Sequence, residues 1–131
     1  CSPGMTNYRT WALLGAIWVA LFAAACGAVD GVCAAGELCV CDGIGACSFE
    51  CEGGGCDFEC EGQGACKFDC PDGDCRAICR GQGACEMDCP DGGCEMACKG
   101  QGACQLTGCP DAESCELTCQ NAGACELELA P

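Results

Sequence analysis

Histidine is absent from this sequence, and lysine and arginine together number five against twenty aspartates and glutamates. Aromatic residues are scarce too: four Phe, two Trp and one Tyr in 131 residues. Without histidine there is no imidazole acid–base chemistry and no Ser–His–Asp arrangement. The only serines beyond the N-terminal apolar run are Ser48 and Ser114. A pair of carboxylates could serve as acid and base, but it needs a cleft, and a thin acidic repeat offers none; the chain does not read as an enzyme. A net charge of −15 argues against binding nucleic acid or an anionic membrane surface, both of which require cationic side chains. So few large apolar side chains put a conventional core out of reach, and covalent links must substitute for it. There is no Cys-x-x-Cys and only one Cys-x-Cys, Cys39-Val40-Cys41. A zinc or copper store built from thiolates, which favours tight spacings, is therefore a weaker reading than a disulfide framework.

What the chain has is 22 cysteines and 21 glycines, arranged around one pentapeptide, Cys-x-apolar-x-Cys. It runs Cys47 to Cys51 around Phe49, Cys56 to Cys60 around Phe58, and Cys66 to Cys70 around Phe68. Cys75 to Cys79 around Ala77, Cys85 to Cys89 around Met87 and Cys94 to Cys98 around Met96 continue it. Leu106 and Leu117 centre the next two, and Cys125-Glu126-Leu127 begins a last one. Cys, apolar residue and Cys fall at i, i+2 and i+4, so a strand places all three on one dry face, whereas a helix sends i+2 to the other side.

The pentapeptides recur with a fixed period. Cys47, Cys66, Cys85 and Cys104 are each 19 residues apart, as are Cys56, Cys75 and Cys94. Two linkers alternate: Gly-Gln-Gly-Ala, beginning at Gly62, Gly81 and Gly100, and Pro-Asp-Gly, beginning at Pro71 and Pro90, with Pro110-Asp111 on the same plan. A fixed internal period with glycine turns is the signature of a solenoid. The fold class predicted is all-β: a small two-sheet parallel β-solenoid, disulfide-rich, with 19 residues and two strands per coil over about four and a half coils. Asn121 stands where Gly62, Gly81 and Gly100 stand, so that site is expected to need a left-handed backbone. Gln63, Gln82 and Gln101 are expected to stack about 4.8 Å apart and to bond side chain to side chain. Gly108 reads as a bulge and Ala112-Glu113-Ser114 as an enlarged arch.

Four residues of strand separate the two cysteines of a pentapeptide by about 13 Å, whereas a disulfide needs Cα atoms within about 7 Å. Pairing within a strand is excluded, and two schemes remain. One clips each arch: Cys33–Cys39, Cys41–Cys47, Cys51–Cys56, Cys60–Cys66, Cys70–Cys75, Cys79–Cys85, Cys89–Cys94, Cys98–Cys104, Cys109–Cys115 and Cys119–Cys125. The other joins cysteines of neighbouring coils. The arch clips are preferred, and spacing alone leaves both open.

The N-terminal quarter has a different character. Residues 1–4 read as an upstream extension and Met5 as the natural start. Residues 5–25, with Arg9 followed by the apolar run Trp11 to Ala25, read as a secretory signal drawn as a hydrophobic helix. Ala23-Ala24-Ala25-Cys26 resembles the lipobox of bacterial lipoproteins, with Ala23 where that family usually has Leu. The resemblance implies lipidation of Cys26, membrane anchoring and residence in the cell envelope, with plain secretion as the alternative. Setting Cys1 and Cys26 aside leaves 20 cysteines, an even number. Residues 26–36 are expected to be a lipid-anchor tether, and 37–131 the solenoid domain.

In outline the repeat also resembles the RTX-type β-roll, although one arch type here carries Gln where that family has Asp. The resemblance raises a Ca²⁺ reading in which Asp72, Asp91 and Asp111 form one acidic column and Glu50, Asp69 and Asp88 a second. The chain is also similar to the disulfide-stapled solenoids of insect antifreeze proteins. The outward column Ser48, Lys67, Glu86 and Gln105 lacks the threonine array that ice binding needs. The functional expectation is a rigid structural or interaction module at the cell surface, meeting a surface or matrix partner, with cation binding as the alternative.

Overall fold

A computed structural model describes residues 29–120 and 123–131. The signal over 5–25, the extension 1–4, Cys26 and the Asn121 site lie outside the described residues. The remainder is all-β. Eleven strands run β1 Val29–Ala34, β2 Leu38–Cys41, β3 Cys47–Glu52, β4 Asp57–Cys60, β5 Cys66–Asp69, β6 Arg76–Cys79, β7 Cys85–Asp88, β8 Cys94–Cys98, β9 Cys104–Cys109, β10 Cys115–Cys119 and β11 Cys125–Leu129. Odd-numbered strands form a six-stranded sheet in the order β1-β3-β5-β7-β9-β11, and even-numbered strands a five-stranded sheet in the order β10-β8-β6-β4-β2. Every pairing is parallel. Cys47, Cys66, Cys85 and Cys104 stand in one register column. This is the 19-residue β-solenoid that the period predicts.

The N-terminal boundary needs correction. The expected tether over 26–36 holds strand β1, paired to β3 with Val29 opposite Cys47, Gly31 opposite Phe49 and Cys33 opposite Cys51. Val29-Asp30-Gly31-Val32-Cys33 is therefore a degenerate pentapeptide. Glycine holds its centre because the ring of Phe49 fills the space, with Cε1 3.0 Å from where a Cβ would stand. The solenoid thus includes Val29–Ala34 and is not confined to 37–131, and β1 carries the stack past four and a half coils to about five. β2 is offset as well: Cys39 lies opposite Phe58, in the slot that an apolar residue fills elsewhere.

The core lies between the sheets and is mostly sulfur. Seventeen of the 23 buried apolar residues are cysteines, and no polar residue is buried among the described residues. Phe58 and Phe68 stack with ring centroids 4.5 Å apart, and Phe49 stacks on Phe68 at 6.4 Å. Met87, Met96 and Leu106 continue the seam, each fully buried.

The structure resolves the pairing in favour of the arch clips, with all ten bridges formed as enumerated above and Cα–Cα distances from 5.9 to 6.5 Å. Cysteines of adjacent parallel rungs point the same way. Those on either side of an arch come from facing sheets and point at each other, which is what a disulfide requires.

Two expectations about the Gly-Gln-Gly-Ala arch do not hold. Gly62, Gly81 and Gly100 are not among the residues with positive φ. They are glycines because the arches pack backbone on backbone: a Cβ at Gly81 would collide with the carbonyl oxygen of Gly62, and one at Gly100 with that of Gly81. The glutamine side chains are exposed, and main-chain bonds join the arches, such as Gln82 N–H to the Gly62 carbonyl at 3.3 Å and Gly81 N–H to the Cys60 carbonyl at 3.1 Å. Left-handed backbone belongs to the other arch, at Gly54, Gly73 and Gly92 and at Gly55, Asp74 and Gly93. Gly108 (φ 77°) is the expected bulge, since Glu128 pairs with Thr107 and Leu129 with Cys109. In the enlarged arch, Asp111 Oδ1 accepts from the N–H groups of Glu113 (3.0 Å) and Ser114 (2.7 Å).

Candidate functional site

Chemistry in this fold can reside on the outer strand faces, in the sulfur columns or at the two ends. The outer faces are column-ordered because the register is fixed. On the six-stranded sheet, Val32, Glu50, Asp69, Asp88, Thr107 and Glu128 form one column. Asp30, Ser48, Lys67, Glu86, Gln105 and Glu126 form the other. On the five-stranded sheet, Leu38, Asp57, Arg76, Glu95 and Glu116 align. Two arginines pair with neighbouring rungs, Arg76 with Glu95 at 3.4 Å and Arg80 with Glu61 at 3.2 Å, whereas Lys67 makes no such pair among the described residues.

The two acidic columns proposed for calcium are placed differently. Glu50, Asp69 and Asp88 stand directly opposite one another on adjacent strands. At the end of that run the Thr107 hydroxyl donates to Asp88 Oδ1 at 3.2 Å. Asp72, Asp91 and Asp111 lie in successive arches. The Asp72 carboxylate is turned to the preceding coil, where Oδ2 accepts from the Gly53 N–H at 3.1 Å, and that of Asp111 caps its own arch. Among the described residues, the groups of three whose ligand atoms lie within 4.8 Å of one another are all cysteines. In each, a sulfur of one coil lies beside the bridge of an adjacent coil: Cys66 beside Cys41–Cys47, Cys51 beside Cys70–Cys75, Cys70 beside Cys89–Cys94, Cys79 beside Cys98–Cys104 and Cys98 beside Cys119–Cys125. These sulfurs are bonded in pairs, and none of the described cysteines is free. The sulfur columns are a staple, and thiolate ligation of zinc or copper would require breaking it.

The ends were not singled out by the sequence reading. Val29, Val32, Leu38, Val40 and Ile44 are 41–59% exposed, and among the described residues the one other exposed large apolar side chain is Leu129. The signal was available in part: the 19-residue period sets Leu38 over Asp57 and Ile44 over Gln63, whereas β1 pairs with β3 at a spacing of 18, which the period misses. Reading 26–36 as a tether hid it. Among the described residues, no helix is long and apolar enough to cross a membrane.

No protein-family model, no curated protein and no solved structure matches the chain. The class is set by the fold alone: a disulfide-stapled parallel β-solenoid. Ten bridges in so short a repeat are consistent with an oxidising, extracellular setting and a structural role there.

Proposed function

We propose that this is an exported rod of the cell envelope, anchored by lipid on Cys26, that acts as a rigid structural or interaction element and has no catalytic chemistry. The observation that carries this reading is the continuous ladder of ten arch disulfides around a core with no buried polar residue. Such a framework invests its sequence in persistence of shape, and its outer columns present charge at fixed intervals of about 4.8 Å to whatever lies beside it. The lipobox resemblance at Ala23 to Cys26 supports the anchor.

The test is the intact mass of the protein isolated from its native membrane, with free thiols alkylated and no reductant. A mature chain beginning at Cys26, carrying a diacylglyceride mass, with all other cysteines unmodified, is the expected result. A mass without lipid removes the anchor. Widespread alkylation or retained metal removes the disulfide rod and turns the protein toward thiolate chemistry.

A further inference from the structure

We infer that the first coil, residues 29–46, is seated in the interfacial layer of a lipid bilayer, so that the rod stands on the membrane by its N-terminal end rather than floating on a tether. This deepens the anchored-rod reading and rests on it.

The register exposes a substitution pattern in the first coil. Val32 heads the column that continues Glu50, Asp69, Asp88, Thr107 and Glu128. Leu38 heads the column Asp57, Arg76, Glu95 and Glu116. Ile44 occupies the arch position of Gln63, Gln82 and Gln101. Val32 and Leu38 thus stand where every later coil is polar or charged, and Ile44 stands where the next three arches carry glutamine and the last carries Ala122; the three are 59%, 53% and 54% exposed. Val40 is exposed too, but its column includes Ile78 and Ala97, so it carries less weight.

The three side chains do not share a face. Val32 lies on the outside of one sheet, Leu38 on the outside of the other and Ile44 on the arch between them. A protein docking flat against one side covers one of them, and a second copy stacked on the end covers the rung edge rather than the outward positions. A medium that surrounds the end covers all three. One coil is about 4.8 Å thick, and interfacial elements bury their apolar groups about 5–10 Å into the headgroup boundary. The scales agree.

Chain length supplies the second observation. Because Val29 already belongs to β1, no more than three chain steps separate the sheet from Cys26. At about 3.5 Å per step, an acyl group on Cys26 holds β1 within about 10 Å of the bilayer. A rod held that closely cannot keep its first coil out of the interface. Asp30, Glu37 and Asp42 in the same coil are exposed and favour a zwitterionic over an anionic surface.

The test uses the full chain, processed in a bacterial host and reconstituted into phosphatidylcholine vesicles. A fluorescent amino acid replaces Ile44 in one sample and Gln101, the same arch position three coils on, in another. Lipids brominated near the headgroup serve as quencher, and intact mass reports the lipid on Cys26. The expected result is loss of most emission at position 44 with position 101 unaffected. The double variant Val32→Glu, Leu38→Glu, whose new side chains match those of later coils, is expected to keep its bridges and its lipid while losing the quenching at 44. Emission preserved at 44 in a lipidated, vesicle-bound protein overturns the seating and leaves the anchor standing. Quenching at 44 that survives the double variant assigns proximity to the tether alone and also overturns it. A chain with no lipid that washes off the vesicles overturns both.

Discussion

Glycine has two separate duties in this molecule, avoiding a backbone collision and adopting positive φ, and both make an added side chain costly. At Gly81 the backbone is ordinary, but a Cβ would meet the Gly62 carbonyl of the coil below. Gly81→Ala is therefore expected to destabilise the oxidised protein by well over ~1 kcal/mol, since main chain rather than a flexible side chain must move; thermal unfolding of the variant checks this. Asp74 has the opposite problem. It adopts φ 58° in a position that Gly55 and Gly93 fill in the coils on either side, and a side chain there costs about 1 kcal/mol. Asp74→Gly is expected to be neutral or stabilising in the same assay, whereas Asp74→Val should be clearly destabilising. In the core, Phe68 is fully buried between two other rings, and Phe68→Ala should cost about 3–5 kcal/mol. These distinctions were only partly legible in the sequence. Spacing marks Gly62, Gly81 and Gly100 as obligatory glycines, but whether glycine answers to φ or to crowding depends on what lies one coil away, which no local window contains.

At the scale of strands and arches, register is the main source of information. The Cys-x-apolar-x-Cys pattern fixed which face of each strand is dry, and the 19-residue period fixed which strands are neighbours. That is why the fold could be read in advance and pairing within a strand excluded, whereas the choice between arch clips and bridges joining neighbouring coils came from the structure. β1 escaped because its pentapeptide has Val29 and Gly31 in place of Cys and an apolar centre, so only its pairing with β3 identifies it. The same register sets Glu50, Asp69 and Asp88 opposite one another, and like charges facing across a strand pair are destabilising by about 0.2–1 kcal/mol. Asp69→Asn should raise stability by an amount of that order, measured by thermal unfolding at low ionic strength, and the gain should shrink in salt. If calcium bridges the column, the wild-type protein gains stability on adding the ion and Asp69→Asn does not. Arch bridges close loops of only five or six residues, so the chain-entropy model assigns each about 2 kcal/mol. Replacing Cys89 and Cys94 by Ala should therefore loosen one coil without unfolding the rest, visible as hydrogen exchange localised to β7 and β8.

For the whole molecule, sulfur takes the place that leucine, valine and phenylalanine hold in an ordinary domain. With 23 buried apolar residues among the described ones, 17 of them cysteines, the fold is conditional on its oxidation state. Reduction is expected to abolish sheet content and protease resistance together, because six buried non-cysteine side chains cannot offset the backbone entropy of some hundred residues at about 1–2 kcal/mol each. The outer surface, by contrast, carries little fold information: its columns vary from coil to coil, and only the first coil departs in a consistent, apolar direction.

The most direct test of the account is a map of the bridges. Protein isolated without reductant, with thiols blocked, is cleaved after acidic and after basic residues, so that Glu61 separates Cys60 from Cys66 and Arg80 separates Cys79 from Cys85, and the linked peptides are weighed. The account predicts links across each arch, Cys60 to Cys66 and Cys79 to Cys85 among them. Links between coils, such as Cys66 to Cys85, or a large fraction of blocked free thiols, would contradict it.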